Sequence, residues 1–146
     1  MEVLTNIEQT FKAPEEVKKI FLDFVLKHPE TFNSRSNDIG HITCSMLVMD
    51  ENKEKVLLTH HKKFKMWLQL GGHWDDSKET ALQTALRETS EEGYGENRIV
   101  CDVFLQGQPF DLDAHNVKDP AGDHIHFDIC FICIVKKEFE VNISHE

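Results

Sequence analysis

The sequence predicts an α/β fold in a single domain, from three observations. An amphipathic helical stripe lies near the N-terminus, several short runs are rich in Val, Ile, Phe and Thr, and an uninterrupted helical stretch sits between those runs. With 146 residues and 40% hydrophobic content, the chain can bury one core. It carries neither internal repeats nor low-complexity tracts.

The first element runs from about Pro14 to Lys27. Pro14 suits the first turn of a helix, and Val17, Ile20, Phe21, Phe24 and Val25 recur at helical spacing. Residues 1–40 are therefore expected as a helical extension packed on a domain of residues 41–146. His41 to Met49 and Lys55 to Thr59 read as strands, and the turn-rich Asp50-Glu51-Asn52-Lys53 between them is a hairpin signal. Trp67 and Leu68 then lead through Leu70 to the double glycine Gly71-Gly72, with Trp67 expected in the core or in a pocket wall. From Glu79 to Glu92 there is no Gly or Pro, and Ala81, Leu82, Ala85 and Leu86 recur, which predicts a helix of about three to four turns.

The last run, IHFDICFICIV, reads as a buried strand. Alternation places Ile125, Phe127, Ile129 and Phe131 on one face, and His124, His126, Asp128 and Cys130 on the other. Cys130 and Cys133 have the C-x-x-C spacing of a thiol or zinc motif. Residues three apart on a strand point to opposite faces, however, so both are read as strand core.

Composition narrows the function classes. A net charge of −10 argues against binding nucleic acid through its phosphates. No apolar stretch approaches the length of a membrane span, and the N-terminal MEVLTNIEQTFKAPEEV is too polar for a signal peptide. Four scattered cysteines, Cys44, Cys101, Cys130 and Cys133, fit reduced thiols and a cytoplasmic setting.

The chemistry concentrates between Gly71 and Gly95. Successive helical residues turn by about 100°, so Ala81, Ala85, Glu88 and Glu92 share one stripe, with Glu91 at its edge. Carboxylates at i, i+3 and i, i+4 repel, and the helix dipole disfavours acids in the last turn, so a cation is expected beside them. Hard oxygen ligands suit Mg²⁺ or Mn²⁺, with part of the shell left to water and substrate phosphates. The plain alternative is a solvated acidic helix face.

This segment resembles the Nudix box, G-x5-E-x7-R-E-U-x-E-E-x-G-U, where U is aliphatic. Glu79, a seven-residue gap, Arg87, Glu88, Glu91 and Glu92 match it in register. The resemblance implies an α/β/α sandwich around a mixed sheet. It also implies Glu88, Glu91 and Glu92 as metal ligands, the Gly71 carbonyl completing the shell, and Glu79 and Arg87 holding the ligand carboxylates in place. Three departures stand out. Six residues separate Gly72 from Glu79 where the pattern has five, Thr89 takes the aliphatic position, and Gly93-Tyr94-Gly95 shifts the terminal glycine. A flanking glycine is expected to adopt the helix-ending conformation in place of Tyr94.

A second constellation lies downstream. PFDLDAH supplies Asp111, Asp113 and His115, and the loop KDPAGD leads to His124 and His126. With GHITCSMLVMD and VLLTHHKKFKMWLQLGGH upstream, these segments resemble one group within the Nudix superfamily, over roughly residues 14 to 146. His115, His126, His124 or Asp111 is a candidate base for the attacking water. Trp67, His73, Asp111 and His124 are candidate substrate contacts, and one of His60, His61, Lys62, Lys63 and Lys65 is a candidate for pyrophosphate. The same histidines and acids also suit a separate Zn²⁺, Mn²⁺ or Fe²⁺ site, or strand-end polar residues satisfied by hydrogen bonds.

The resemblance implies a metal-dependent hydrolase that cleaves a phosphoanhydride in a nucleoside diphosphate linked to another moiety, with a small nucleotide or diphosphate as partner. The alternative is a Nudix-fold nucleotide-binding or regulatory module without turnover. An isoprenoid diphosphate isomerase is a third option on this fold. Members of the family usually end in a helix packed on the sheet, whereas this chain stops at Asn142-Ile143-Ser144-His145-Glu146. An uncovered sheet face would be covered by a partner or by a second copy in a homodimer.

Overall fold

The computed structural model describes residues 2–29, 38–75, 78–94, 101–119 and 122–135. Its centre is the pairing of the two most apolar runs: β1 (Gly40–Asp50) lies parallel to β8 (His124–Val135) along its whole length, from Gly40 opposite Ile125 to Asp50 opposite Val135. The outer edge of β1 is shared by two antiparallel partners. β2 (Val56–Leu57) returns through the Asp50–Lys53 turn onto Val48 and Met49, and β5 (Leu70–His73) pairs with Thr43 to Met46. The outer edge of β8 is likewise shared, by β6 (Asp102–Val103) and by β7 (Asp111–Val117). The result is a mixed six-stranded sheet. A separate two-stranded hairpin joins β3 (Thr59–His61) and β4 (Met66–Leu68).

Register assigns the two faces. Ile42, Cys44, Met46 and Val48 share a face with Phe127, Ile129, Phe131 and Cys133, and all eight are buried. Helices cover this side. α2 (Glu15–Lys27) begins after Pro14 in extended conformation and sets Phe21 edge-on to Phe127 at 5.3 Å and Phe24 stacked on it at 3.9 Å. Aromatic pairs of this kind are worth about 0.5–1.5 kcal/mol beyond their buried area. α3 (Ala81–Tyr94) buries Ala81 and Ala85 and packs on β5, β1 and β8. The α/β class, the mixed sheet and its flanking helices are as expected. The C-terminal layer concerns residues 136–146, which lie outside the described residues.

Some expectations are corrected. Ile20 belongs to the apolar stripe of α2 in sequence but is 52% exposed, because the edge of α2 that is buried is Phe21, Phe24 and Val25. A further helix, α1 (Glu2–Gln9), precedes α2 and buries Val3 and Ile7 in the same core cluster. Its Glu2 carboxylate accepts the Ala81 N–H at 3.2 Å, at the start of α3. The N-terminal residues are thus built into the core. Trp67 is 66% exposed on the β3–β4 hairpin, edge-on to His60, so neither the core nor the pocket wall holds it. Trp74 is buried instead, and its indole N–H donates to the Glu79 carbonyl at 3.0 Å. Gly93 is not at a helix-ending φ, and Gly95, the other flanking glycine, lies outside the described residues. Gly93 lies inside α3, where a Cβ would approach Leu70 Cδ2 at 3.0 Å, so the glycine lets the helix press on β5. No described helix is long and apolar enough to cross a membrane.

Cys130 and Cys133 point to opposite faces as the alternation requires, and every described cysteine is free. The Cys133 and Cys101 thiols share a hydrogen bond beside β6. The C-x-x-C spacing is therefore strand periodicity.

Candidate functional site

The acids of α3 are set by helix geometry against the double glycine of β5. A Cβ built on Gly72 would stand 2.5 Å from the Glu88 Cδ, so the carboxylate occupies the space a side chain would fill. One turn on, Glu92 accepts the Gly71 N–H at 3.0 Å. Gly71 is itself confined, since a Cβ there would meet the Cys44 carbonyl oxygen at 2.6 Å. Two carboxylates from one helical stripe therefore rest on consecutive glycines of an edge strand.

Arg87 ties the acids together. Its Nε donates to both Glu79 oxygens at 3.0 and 3.1 Å, and its Nη1 donates to Glu88 at 2.6 Å and to Glu91 at 3.4 Å. Thr84, fully buried, adds a hydroxyl bond to Glu79 at 3.1 Å. Thr89, at the aliphatic position of the pattern, is also fully buried and turns its hydroxyl back to the Ala85 carbonyl at 2.6 Å. That bond makes a polar residue tolerable there. Burial pushes the Glu88 carboxyl above its ordinary range; Arg87 opposes that rise, and Glu91 and Asp75 add to it. Burial lowers the Arg87 pKa, but its bonds to Glu88 and Glu79 outweigh that and leave it raised.

These residues fit a Mg²⁺-type ion by donor chemistry: all are hard oxygens, and Mg²⁺ is commonly held by one or two carboxylates plus substrate phosphates. Glu88 and Glu92 at the glycines supply two. Glu91 is 58% exposed and leans on Arg87.

The other face of the sheet begins polar. His41, Thr43 and Ser45 of β1 are in register with His126, Asp128 and Cys130 of β8, and His115 of β7 is opposite His126. His73 of β5 is opposite Thr43. One nitrogen from each of His41, His73 and His126 lies within 4.8 Å of one from each of the others. His124 Nε2 is 3.2 Å from His126 Nε2, and His124 Nδ1 is 3.0 Å from the Gly122 carbonyl. Burial, followed by His41, His73, His115 and His124, pushes the His126 imidazole down to about 3. Beneath the rings, fully buried Asp128 accepts hydroxyl bonds from Thr43 at 2.8 Å and from Ser45. Burial raises its carboxyl, and the two hydroxyls oppose that rise.

A cavity of about 470 Å³ opens over this cluster, and His41, His61, Lys63, His73, His124 and His126 are among its lining residues. Lys63 is ion-paired with Asp119, which also lines the cavity. His115 stands beside the cluster, 5.5 Å from His126 between ring centroids, and its Nδ1 is 2.6 Å from the Asp113 carboxylate. Asp111 is not brought in. It pairs with Cys130, four residues along the strand from the His115–His126 pair, a distance of about 13 Å.

A family model described as the NUDIX domain matches residues 40–146. The chain belongs to the Nudix family. Among solved structures, the Nudix chain is similar to a C. elegans Ap4A hydrolase at 17% identity, over 71% of this chain and 74% of that one, with a TM-score of 0.50. It is also similar to the E. coli dihydroneopterin triphosphate pyrophosphohydrolase at 14% identity, over 70% of this chain and 73% of that one, with a TM-score of 0.53. At such identities the likeness is one of fold. No curated protein matches.

Sequence reasoning named the acids, His73, His115, His124 and His126 of this Nudix chain, but not His41. Its signal was present: His41, Thr43 and Ser45 repeat the polar alternation of His124, His126 and Asp128. Parallel pairing of two such strands superposes their polar positions.

Proposed function

We propose that this Nudix chain hydrolyses a phosphoanhydride bond of a small nucleotide, with Glu88, Glu91 and Glu92 as the carboxylates that would hold Mg²⁺ or Mn²⁺. The observation that carries this reading is the seat of Glu88 on Gly72, fixed from behind by Arg87 and Glu79. When bound, the ion supplies charge neutralisation at phosphoryl oxygens and a water of lowered pKa.

The chain's own residues do the rest. Arg87 counters the burial of Glu88 and favours its ionised form. The Gly71 N–H orients Glu92. Gly72 and His73 are consecutive on β5, so the acids and the cavity lie on the two sides of one edge strand. A nucleotide in the cavity would extend its phosphates around that edge toward the acids, with His61 and Lys63 offering N–H donors on the way. His115, held by Asp113, lies on the sheet face opposite Glu88 and is separated from β5 by β1 and β8, so it does not take the role of accepting a proton from the attacking water. Trp67 has no part in this reading. The free thiols are in keeping with a reducing, cytoplasmic setting.

The test is release of phosphate and nucleotide from nucleoside di- and triphosphates, dinucleoside polyphosphates and nucleotide sugars, with Mg²⁺, Mn²⁺ or chelator. Release that chelator abolishes and Glu92→Gln removes supports the proposal. A folded protein that binds nucleotide without releasing product from any of them is a binding module, and the proposal fails.

A further inference from the structure

The histidines that meet at the end of the sheet belong to four strands, two of which are edge strands. His41 and His126 are cross-strand partners on β1 and β8, His73 comes from β5, and His115 faces His126 from β7. A core that merely needed filling at this corner would take apolar side chains, as the opposite face does at Ile42, Phe127 and Ile129. Here the rings crowd within about van der Waals reach: His41 lies 4.7 Å from His73, 4.9 Å from His126 and 4.9 Å from His124, centroid to centroid.

We infer that His41, His73 and His126 form a binding site for a borderline transition-metal ion, Zn²⁺ by preference, distinct from the carboxylate site on α3. Three nitrogens within 4.8 Å of one another need move by little more than an ångström to reach a common centre, since ligands at about 2.0–2.1 Å on a tetrahedron are about 3.3 Å apart. His124 and His126 already show that separation, at 3.2 Å between their Nε2 atoms. The Nδ1 of His124 is engaged by the Gly122 carbonyl, which fixes its tautomer and leaves Nε2 facing the cluster, as supporting contacts do for zinc-bound imidazoles. Imidazole nitrogen suits Zn²⁺ and its neighbours and suits Mg²⁺ poorly, so the two sites select different ions. All three residues line the cavity, so an ion held by three histidines would keep a position open to it, for water or an anionic oxygen. The net charge of −10 favours cation uptake at either site.

The inference is independent of the hydrolase reading, and the test separates them. The full chain is stripped with chelator, then titrated with Zn²⁺ in the presence of excess Mg²⁺. Bound zinc is counted after dialysis, and the histidine ring nitrogens are followed by NMR. Parent and Glu88→Gln should each retain one equivalent of Zn²⁺, with ring-nitrogen shifts at three histidines. His73→Ala and His126→Ala, whose side chains are only partly buried, should bind zinc more than about tenfold more weakly. Unchanged zinc affinity in both folded histidine variants would overturn the site, as would loss of zinc in Glu88→Gln. Zinc that leaves the ring-nitrogen signals unmoved would overturn it equally. If these two variants fail to fold, His73→Gln and the NMR titration of the parent decide alone.

Discussion

Glu88 and Gly72 occupy one another's space: the carboxylate of the helix residue sits where the strand residue would carry its Cβ, 2.5 Å from the Glu88 Cδ. Gly72→Ala should therefore displace Glu88 while leaving the strand pairing to Cys44 intact. A displacement of about 1 Å at a catalytic group can cost about 100-fold in rate, and a loss of that order is expected for metal-dependent release with little change in thermal midpoint. Parent-like turnover in a folded Gly72→Ala protein would remove Glu88 from the site.

Arg87 reaches three acids at once, through Nε to Glu79 and through Nη1 to Glu88 and Glu91. A lysine has one charged head and no planar fork, so it cannot reproduce the arrangement. Arg87→Lys and Arg87→Ala should both weaken the apparent Mg²⁺ affinity, by about 10- to 100-fold, measured as the metal dependence of product release. Full rescue by lysine would mean that only charge matters there.

Phe24 stacks on Phe127 at the centre of the sheet, so α2 should unfold together with the domain. Phe24→Ala is expected to cost about 3–5 kcal/mol in urea unfolding, as a single transition. A separate early transition for the N-terminal helices, with the sheet unaffected, would instead mark residues 1–40 as an independent extension.

The metal-free protein should lose stability on acidification because of His126. Its imidazole titrates at about 3 when folded, against 6.5 as its ordinary value. Between those values the unfolded chain binds a proton that the folded chain refuses, so stability rises with pH through the window and falls as pH drops from about 6.5 toward 3. Urea midpoints at pH 7 and pH 5, with chelator throughout, should fall more in the parent than in His126→Gln. Equal falls would show that the imidazole is not held neutral.

Periodicity was enough to read α2, α3, β1 and β8 from the residues, because a buried face must repeat at 3.6 or at 2 whatever it packs against. The spacing of Glu79, Arg87, Glu88, Glu91 and Glu92 was legible for the same reason: a helix places i, i+3 and i+4 together without help from the rest of the chain. α1 was missed because eight residues carry too few turns to show a stripe. Trp67 was placed in the core or pocket wall and Trp74 was given no place, because neither sits in a periodic run and only packing decides such positions.

What the sequence determined by itself is therefore local: the helix that presents the acids, the strand faces, and the polar alternation of His124, His126 and Asp128. What only the tertiary structure decided is which distant residues meet. His41 comes to His126 across 85 residues through the parallel register of β1 and β8, His73 joins them from the edge, and Asp111 is left four residues away. Strand register is a property of pairs of segments, set by how their buried faces and connections fit, and no single segment carries it.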